Sequence, residues 1–479
     1  MPLTQKNIAG VHSKQFEQLT PCPVATSTGS FIVADSTGRS NLVLFVSSAT
    51  VHYLWHNNEQ GWVQIPSGAL AGTFGAGSCG VFHPWSIAYT ANGGSTTTVT
   101  VALSTHNING LAVGQTIEFL NASNIGLRRT VTEIRTGGVA GNTITLTLNS
   151  PLPNAVANTN TFRLTTGRFF VLCAGTLATN SFKAFDVGTY AWSASLTITG
   201  LSASWGTDGD MTLAYHVGKP FATGTLDSAT GTTFTDSKTW TASQWINSVI
   251  RITGGLGIGQ TRVITANTST QGTVATWTTT PDATSTYEIE GDENFIYLVG
   301  NNAVTMYKYS ISANTWATVA PTVARGGAPV AGCSFDWIGK TNNTELDNEN
   351  NIFAGRYIYS FRGGNTATLD RFDIAGGTGG AGTWEAITYI GAETFGSGSH
   401  YTWKGSYIYI QKEATSRFFK FSVRGNYLEP FATNIYTNGA AAIGNRMWTW
   451  SYQESEVDKV SWLYSLGQTL TVLHRIMLF

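Results

Sequence analysis

The segments FIYLVG (295–300), TMYKYSIS (305–312) and TWATVAP (315–321) follow one another in the second half of the chain. They are a hydrophobic run, an alternating aromatic-rich run and a run with Trp316 near its start, which are patterns of β-strands rather than of helices. An earlier segment, MTLAYH (211–216), has the pattern of a further strand. Together the four predict one antiparallel sheet.

The same order of four strands recurs along the chain. The fourth unit, for example, has CSFDWIG (333–339), YIYSFRGG (357–364), TLDRFDIA (368–375) and TWEAITY (383–389). The other units are the first (30–35, 42–48, 50–56, 61–67), the second (85–90, 169–175, 181–188, 191–197), the fifth (399–405, 407–413, 417–423, 427–432) and the sixth (445–451, 461–467, 469–477). Six such units predict an all-β fold, a six-bladed β-propeller whose sheets repeat radially.

The sixth unit has three strands, and the N-terminal region has the pattern of the fourth. QFEQLTP (15–21) matches TWATVAP, with Phe16 in the place of Trp316 and Pro21 in the place of Pro321. We therefore expect an N-terminal strand to close the ring by pairing with the last unit, which leaves no long open edge.

The pattern YLVG…MYKYSISANTWATVAP resembles the kelch family of β-propellers. The paired glycines that usually follow the second kelch strand are found here at Gly363 and Gly364. The resemblance implies an architecture and no particular activity, because propellers serve enzymes and scaffolds alike.

Two Thr-rich insertions interrupt neighbouring units and repeat each other. TIEFLNASNIGLRRTVTEI (116–134) aligns without a gap with VIRITGGLGIGQTRVITAN (249–267), which pairs Ile117 with Ile250, Ile125 with Ile258, Gly126 with Gly259 and Arg129 with Arg262. Each insertion ends in a return strand, TNTFRL (159–164) or STYEIE (285–290). We expect two copies of one small β-barrel or sandwich that leave the same face of the ring.

These patterns divide the chain into propeller and insert segments. The expected propeller segments are 1–90, 167–216 and 293–479, and the inserted β-domains are 91–166 and 217–292. The second insert is similar to the small β-modules of tailed-bacteriophage virion proteins. That resemblance implies a structural role in a tail, baseplate or neck.

The composition limits the classes of partner. Charged residues form 11% of the chain, against roughly 25% in an average soluble domain, and 27 Lys and Arg balance 28 Asp and Glu. We expect no nucleic-acid partner, because no broad positive field is present. The first 20 residues lack the apolar core of a signal peptide and no run of about 18 apolar residues occurs, so we expect neither Sec export nor a membrane span.

Three short motifs mimic catalytic ones, but each lacks the context that the chemistry needs. GGLGIG (254–259) resembles a phosphate loop, yet a strand pattern follows it instead of a helix, so a glycine-rich hairpin is favoured. The segment 76–80 around Ser78 nearly matches a serine-hydrolase elbow, but VFHPW continues extended. DSKTW (236–240) is similar to a sialidase Asp-box without its glycine.

The acidic side chains that can be placed follow the repeat. We expect Asp186, Asp370, Asp373 and Glu385 on turns or alternating strands, satisfied by solvent or by neighbouring Lys or Arg. We therefore predict no catalytic residues, no cofactor and no enzyme activity.

Metal sites are possible but not favoured by the spacing of the ligand types. His83, His216 and His400 are expected on or beside channel-lining first strands, and the loop 341–351 has Glu345, Asp347 and Glu349, whose oxygens calcium could use. Polar lining and a solvated loop are the favoured interpretations. The four cysteines, Cys22, Cys79, Cys173 and Cys333, are far apart in sequence and are expected to be buried free thiols.

Two hypotheses of different class remain. The first is a non-enzymatic virion protein of a tailed bacteriophage, located in the virion, whose inserts contact copies of itself and other virion proteins. The alternative is a carbohydrate-binding or glycan-degrading propeller that recognises a host surface glycan. A glycosidase would need two carboxylates about 5–9.5 Å apart in a cleft.

Overall fold

The computed structural model describes most of the chain, and everything below refers to that part. The described residues are 17–26, 29–34, 41–46, 51–56, 61–68, 70, 74–102, 111–137, 142–202, 204–205, 209–213, 220–300, 302–337, 355–391, 393–404, 407–433, 447–453, 459–466 and 473–478. Within them the secondary structure consists of 39 β-strands and two short 3-10 helices, Ala122–Asn124 and Thr378–Gly380, without an α-helix. The predicted all-β class is confirmed. No helix in these residues has the length and apolar character that crossing a membrane requires.

The first two four-stranded sheets lie in the N-terminal part of the chain. After β1 (Glu17–Gln18), the first sheet contains β2 (Phe31–Ala34), β3 (Asn41–Phe45), β4 (His52–His56) and β5 (Gly61–Ile65). The second sheet starts with β6 (Cys79–His83). The first insert then contributes β7 (Tyr89–Thr90), β8 (Thr98–Ala102), β9 (Thr116–Phe119), β10 (Arg128–Thr136), β11 (Thr143–Leu148) and β12 (Thr161–Leu164).

The second sheet is completed after the first insert. It continues with β13 (Arg168–Leu172), β15 (Phe182–Asp186) and β16 (Ala191–Trp192), while β14 (Gly175–Thr176) pairs separately with β17 (Ser204–Trp205). The third sheet starts with β18 (Gly209–Leu213). The second insert contributes β19 (Ala222–Thr225), β20 (Ser228–Ala229), β21 (Thr233–Thr235), β22 (Val249–Gly254), β23 (Thr261–Asn267), β24 (Gln271–Val274) and β25 (Thr286–Glu290).

The remaining strands complete six four-stranded sheets. The third sheet continues with β26 (Phe295–Gly300), β27 (Ala303–Ser310) and β28 (Thr315–Val319). The fourth sheet has β29 (Asp336–Trp337), β30 (Tyr357–Phe361), β31 (Leu369–Asp373) and β32 (Thr383–Ile387). The fifth has β33 (His400–Lys404), β34 (Tyr407–Gln411), β35 (Arg417–Ser422) and β36 (Tyr427–Thr433). The sixth has β37 (Met447–Gln453), β38 (Lys459–Leu466), β39 (Leu473–Leu478) and β1.

Burial changes from the inner to the outer strand of a sheet. All five residues of β30 are buried, because this second strand is covered on both faces. In the outer strands β28 and β32 the buried side chain is the tryptophan, Trp316 or Trp384. The repeated Trp therefore anchors an otherwise solvated edge strand, which explains why it recurs at one position of the unit.

Apolar clusters join each sheet to the next. Each of six clusters contains buried residues from two consecutive sheets, and one of them joins the sixth sheet to the first. The clusters pack Phe31 of the first sheet with Phe169 of the second, Leu172 of the second with Ile296 of the third, and Val299 of the third with Phe372 of the fourth. They likewise contain Phe361 of the fourth sheet and Phe421 of the fifth, Phe418 of the fifth and Leu463 of the sixth, and Leu473 of the sixth and Leu44 of the first. Four-stranded antiparallel sheets packed in series are the arrangement of a β-propeller.

The first strand of the second sheet differs from the prediction. We expected it at 85–90, but it is β6 (Cys79–His83), which pairs with β13. Pro84 follows β6 and lacks the N–H that a central ladder needs, so the strand ends there. Tyr89 and Thr90 pair instead with Phe162 and Thr161 and thus belong to the first insert.

The N-terminal strand pairs with the C-terminal one. Glu17 lies opposite Arg475 and Gln18 opposite His474, antiparallel, and the Leu19 N–H donates to the Leu473 carbonyl at 2.8 Å. Phe16, which was expected to replace the repeated Trp, lies outside the described residues.

Because Leu19 N–H is a ladder donor, Leu19→Pro should lower the free energy of unfolding by about 1–3 kcal/mol more than Leu19→Ala does. The alanine variant keeps the N–H and loses only a part-buried side chain. Chemical denaturation of the two variants and the parent measures the difference. Equal stabilities for the two variants would mean that this pairing does not support the sheet.

Candidate functional site

The two inserts are built from equivalent hydrogen bonds. The Gly126 N–H donates to the Phe119 carbonyl and the Gly259 N–H donates to the Ile252 carbonyl, each at 2.8 Å, and the members of the two pairs align in sequence. Arg129 and Arg262 donate to the carbonyl of the preceding residue in their own strand, at 2.7 and 2.8 Å. The predicted repetition is therefore present in the backbone and in a side chain.

Each insert sheet curls back on itself. In the first insert, the residues after β7 bond to β8, through Asn92 N–H to Thr100 O and Thr100 N–H to Gly93 O. In the second, β20 follows β19 and pairs with β21 at the other end of the sheet. Of the two predicted forms, the described residues have the barrel.

The inserts differ in how they are packed. The first has an apolar cluster drawn from its own residues, 89–164. The second shares one cluster with the third and fourth sheets, in which Phe221 lies against Trp337 with ring centroids 6.1 Å apart. The Asn247 side-chain amide also donates to the carbonyls of Ile374 and Gly380. The second insert is thus docked on the third and fourth sheets through a shared apolar cluster, whereas the apolar cluster of the first insert is its own.

The inserts meet at their equivalent glycines. A Cβ placed on Gly126 would lie 1.9 Å from the Gly259 carbonyl oxygen, and one on Gly259 would lie 2.3 Å from the Ile125 oxygen. Both glycines have positive φ, 76° and 88°. Any other residue at either position would push the barrels apart and strain the backbone.

Buried charges surround this contact. Arg128 of the first insert donates from Nη1 to Glu290 Oε2 of the second at 2.5 Å, and from Nε to Glu118 Oε2 of its own insert at 2.8 Å. Arg251 of the second insert lies 2.9 Å from Glu290 and 3.6 Å from Glu118, and its Nη1 donates to the Gly126 carbonyl. At this depth the cost of removing each charge from water is offset by a close partner of opposite sign.

The pKa values follow from burial and from the sign of the neighbours. Burial raises the pKa of Glu118, but the three surrounding guanidinium groups outweigh it and bring the value down to about 2. For Glu293, burial dominates and raises the pKa to about 7. Glu293 lies at the edge of the network, 3.9 Å from Arg163.

Trp85 links the network to the sheets below it. The residue is fully buried between β6 and the first insert, and its indole N–H donates to the Glu293 carboxylate just before β26. The guanidinium groups of Arg163 and Arg128 lie over its ring at 4.3 and 5.1 Å. Trp85, which precedes the first insert, and Glu293, which follows the second, therefore hold the bases of the two inserts together.

A pair of carboxyl groups lies on the first strands of the third and fourth sheets. Asp210 in β18 accepts from the N–H groups of Met211 and Phe335, the latter at 2.8 Å across the two sheets. Burial raises the pKa of Asp336 in β29 to about 7, and burial together with the Asp336 charge raises the pKa of Asp210. One Asp336 oxygen has no protein donor. Carboxyl pairs of this kind occur in acid–base catalysis as well as in structural sites.

The three catalytic mimics have structural roles. GGLGIG forms the turn between β22 and β23, with positive φ at three of its glycines, as the hairpin interpretation predicts. Ser78 precedes the extended strand β6, and its hydroxyl accepts the Ala174 N–H at 2.9 Å. Asp236 of DSKTW accepts a hydrogen bond from Tyr287 inside the second insert.

Three of the four acidic residues of the repeat have the expected arginine partners, and Asp186 is bonded by the backbone instead. Asp370 accepts from Arg325 and Arg362, Asp373 from Arg356, and Glu385 from Arg371. Asp186 accepts backbone N–H groups, including that of Ile87. These contacts assign the four carboxylates to the sheets and their turns.

The candidate metal ligands are dispersed in the described residues. His83 lies in β6 and His400 in β33, while His216 and the loop 341–351 fall outside the described residues. Burial and two nearby arginines lower the pKa of His83. In that part of the chain, no group of three or more His, Cys, Asp or Glu is arranged to hold a metal ion. Cys22, Cys79 and Cys173 are buried free thiols as predicted, and Cys333 is partly buried.

Sequence reasoning missed both charged clusters. A signal for the first was present, because the ungapped alignment pairs Glu118 with Arg251, two opposite charges at one position of the repeat. The signal for the second was weak, since Asp210 and Asp336 are far apart in sequence and their units differ in length.

Arg128 and Arg135 lie in one strand and form a matched pair for mutation. Arg128→Met leaves Glu118 and Glu290 buried with less compensation and should cost about 3–5 kcal/mol of unfolding free energy. Arg135 pairs with Glu133 in solvent, so Arg135→Met should cause no measurable change. Thermal and urea unfolding test both variants. A harmless Arg128→Met would show that the network does not stabilise the inserts.

Asp336 predicts a pH dependence of stability. Its folded pKa of about 7 lies above its unfolded value, so its contribution is full in acid and is lost as pH rises through that value. Asp336→Asn should therefore match the parent near pH 4 and exceed its unfolding free energy at pH 8 by an amount on the order of 4 kcal/mol. Glu133→Gln, on the surface, serves as a control with the parental profile. Parallel profiles for Asp336→Asn and the parent would contradict the expectation.

Comparisons with known proteins identify no family. No protein-family model matches the chain, and no curated protein matches it. Among solved structures, the β-propeller domain of Cps50 (Swd1) from Myceliophteria thermophila is 6% identical, with 97% of this chain and 100% of that chain covered and a TM-score of 0.35. Hydrazine synthase from Kuenenia stuttgartiensis is 10% identical, with 98% of each chain covered and a TM-score of 0.35.

A third solved structure is of a protein of unknown function from Bacteroides thetaiotaomicron. It is 10% identical, with 80% of this chain and 95% of that chain covered and a TM-score of 0.25.

Proposed function

We propose that the six four-stranded sheets are the blades of one closed propeller and that β1 completes the sixth blade from the N-terminal side. The proposal is supported by the apolar clusters that join consecutive sheets, including the sixth to the first. It is also supported by the pairing of Glu17 and Gln18 with β39.

On this ring we propose a non-enzymatic structural role in the virion of a tailed bacteriophage, in a tail, baseplate or neck. The observation that carries the proposal is the fusion of the two duplicated inserts into one body on one rim, by a buried ion network and a glycine contact. A duplicated module held rigidly on one rim of the ring adds a contact surface and not a cleft. The partners would be copies of this chain and other virion proteins, with neither nucleic acid nor membrane involved.

The tips of the paired inserts supply a surface suited to such contacts. Ile125 is 56% exposed, Leu256 47% and Ile258 39%, and they flank the contact between the two barrels. Large aliphatic side chains that stay exposed on a hydrogen-bonded turn are typical of protein interaction sites. We propose that the inter-subunit contact is made at these tips.

The proposal is tested by changing the tips in the full chain. The double variant Ile125→Glu with Ile258→Glu should leave the melting temperature near that of the parent. It should reduce incorporation into particles by about tenfold or more, as expected for residues at the centre of an interface. Mass spectrometry of purified virions measures the incorporation. Val304→Glu, at a similarly exposed position on β27, is the control and should incorporate normally. Normal incorporation of the tip variant, or absence of the parent chain from particles, would refute the role.

The carboxyl pair favours one alternative, a carbohydrate-binding or glycan-degrading propeller. Asp210 and Asp336 lie on first strands, which line the central channel of a propeller, and a carboxyl kept protonated near neutral pH is suited to act as a general acid. This alternative predicts release of reducing ends from host surface polysaccharide, lost in Asp210→Asn and Asp336→Asn and retained in Asp373→Asn. Without turnover above a heat-inactivated control, the structural role stands and the glycosidase alternative fails.

A further inference from the structure

The two inserts contact each other through the same positions of their shared fold. Gly126 lies against Gly259, and Glu118 lies 3.6 Å from Arg251, and in both cases the two residues occupy one position of the alignment. An interface in which equivalent positions face each other is isologous, as in a two-fold dimer. The inserts therefore form a pseudo-symmetric dimer within one chain.

The charges at these equivalent positions are opposite. In the first insert Glu118 lies opposite Arg163 on neighbouring strands, and in the second Arg251 lies opposite Glu288. Arg163 and Glu288 are therefore equivalent, because their cross-strand partners, Glu118 and Arg251, align with each other. Both positions are thus reversed between the two copies.

The remaining charges strengthen the difference. Arg128 aligns with Thr261, and Glu290 occupies the position that Thr165 has in the first insert. The first insert therefore presents two arginines and one glutamate to the interface, and the second presents one arginine and two glutamates. Arg128 and Glu290 pair with each other across it.

We infer that the two inserts form a heterotypic pair, in which the first insert accepts a module with the charges of the second and rejects a second copy of itself. Pairing of two first inserts would bring Glu118 against its own counterpart and leave Arg128 facing threonine. Pairing of two second inserts would bring Arg251 against its own counterpart. Because the interface is buried, each like pairing brings charges of one sign together away from solvent, and this penalty excludes it.

The charges on the contact surface of the first insert select the second insert as its partner, independently of any role in a virion. The reversed positions prevent the inserts of different chains from pairing like with like during folding, so that each chain closes its own pair. Contacts between subunits then have to use surfaces outside the charged network. Pairing of the inserts is measured on the isolated full chain, so a negative result there would leave the proposed virion role standing.

Charge exchange in the full chain tests the inference. The first set, Glu118→Arg, Arg128→Glu and Arg163→Glu, keeps the ion pairs inside the first insert but reverses the charges that the second insert meets. The second set, Arg251→Glu, Glu288→Arg and Glu290→Arg, does the same from the other side. Each triple variant should increase hydrogen exchange in peptides covering 119–128 and 252–261 at least about tenfold. The combined sextuple variant should recover most of the protection, since both sides are then reversed.

The control variant is Lys420→Glu with Glu429→Lys, an exchange of a partly exposed cross-strand pair in the fifth sheet. It should leave exchange in the insert peptides at the parental level. Recovery in the sextuple variant, even from triple variants that unfold, supports recognition between the inserts. Losses that simply add in the sextuple variant, or unchanged exchange in both triple variants, would overturn the inference.

Discussion

Consecutive four-stranded sheets share apolar side chains, and these shared clusters hold the structure together. A single sheet of this size buries one strand fully, as β30 shows, and leaves its outer strand anchored mainly by a tryptophan. Each sheet therefore needs a neighbour on either side. The clusters meet this need in series, and the last joins the sixth sheet to the first. With the proposed closure no sheet is left with an uncovered face.

The same frame fixes the origin of the inserts. Both leave between the first and second strands, so neither interrupts the packing of a sheet, and they emerge from adjacent sheets on one side. Their bases are joined through Trp85 and Glu293 and their middles through Arg128 and Glu290. Burying these charges costs desolvation, which is offset only while both partners are present. The inserts consequently depend on each other more than two independent domains would.

Two sets of buried carboxyl groups show how the surroundings decide whether burial raises a pKa. At Glu118 three guanidinium groups outweigh burial and bring the pKa to about 2, whereas at Asp336 burial dominates and raises the pKa to about 7. Glu118 therefore functions as a fixed charge that holds two barrels together. Asp336 exchanges its proton near neutrality, as a general acid must.

The all-β class, the four-strand unit and the repetition of the inserts could be predicted from the sequence, because strand alternation, the recurring Trp and an ungapped alignment are local patterns. The first strand of the second sheet was predicted wrongly, because the segment after Pro84 has a strand pattern but pairs with the first insert. That Glu118 faces Arg251 and that Asp210 neighbours Asp336 could not be predicted. Charges become partners through distance and burial, and both arise only when remote segments pack.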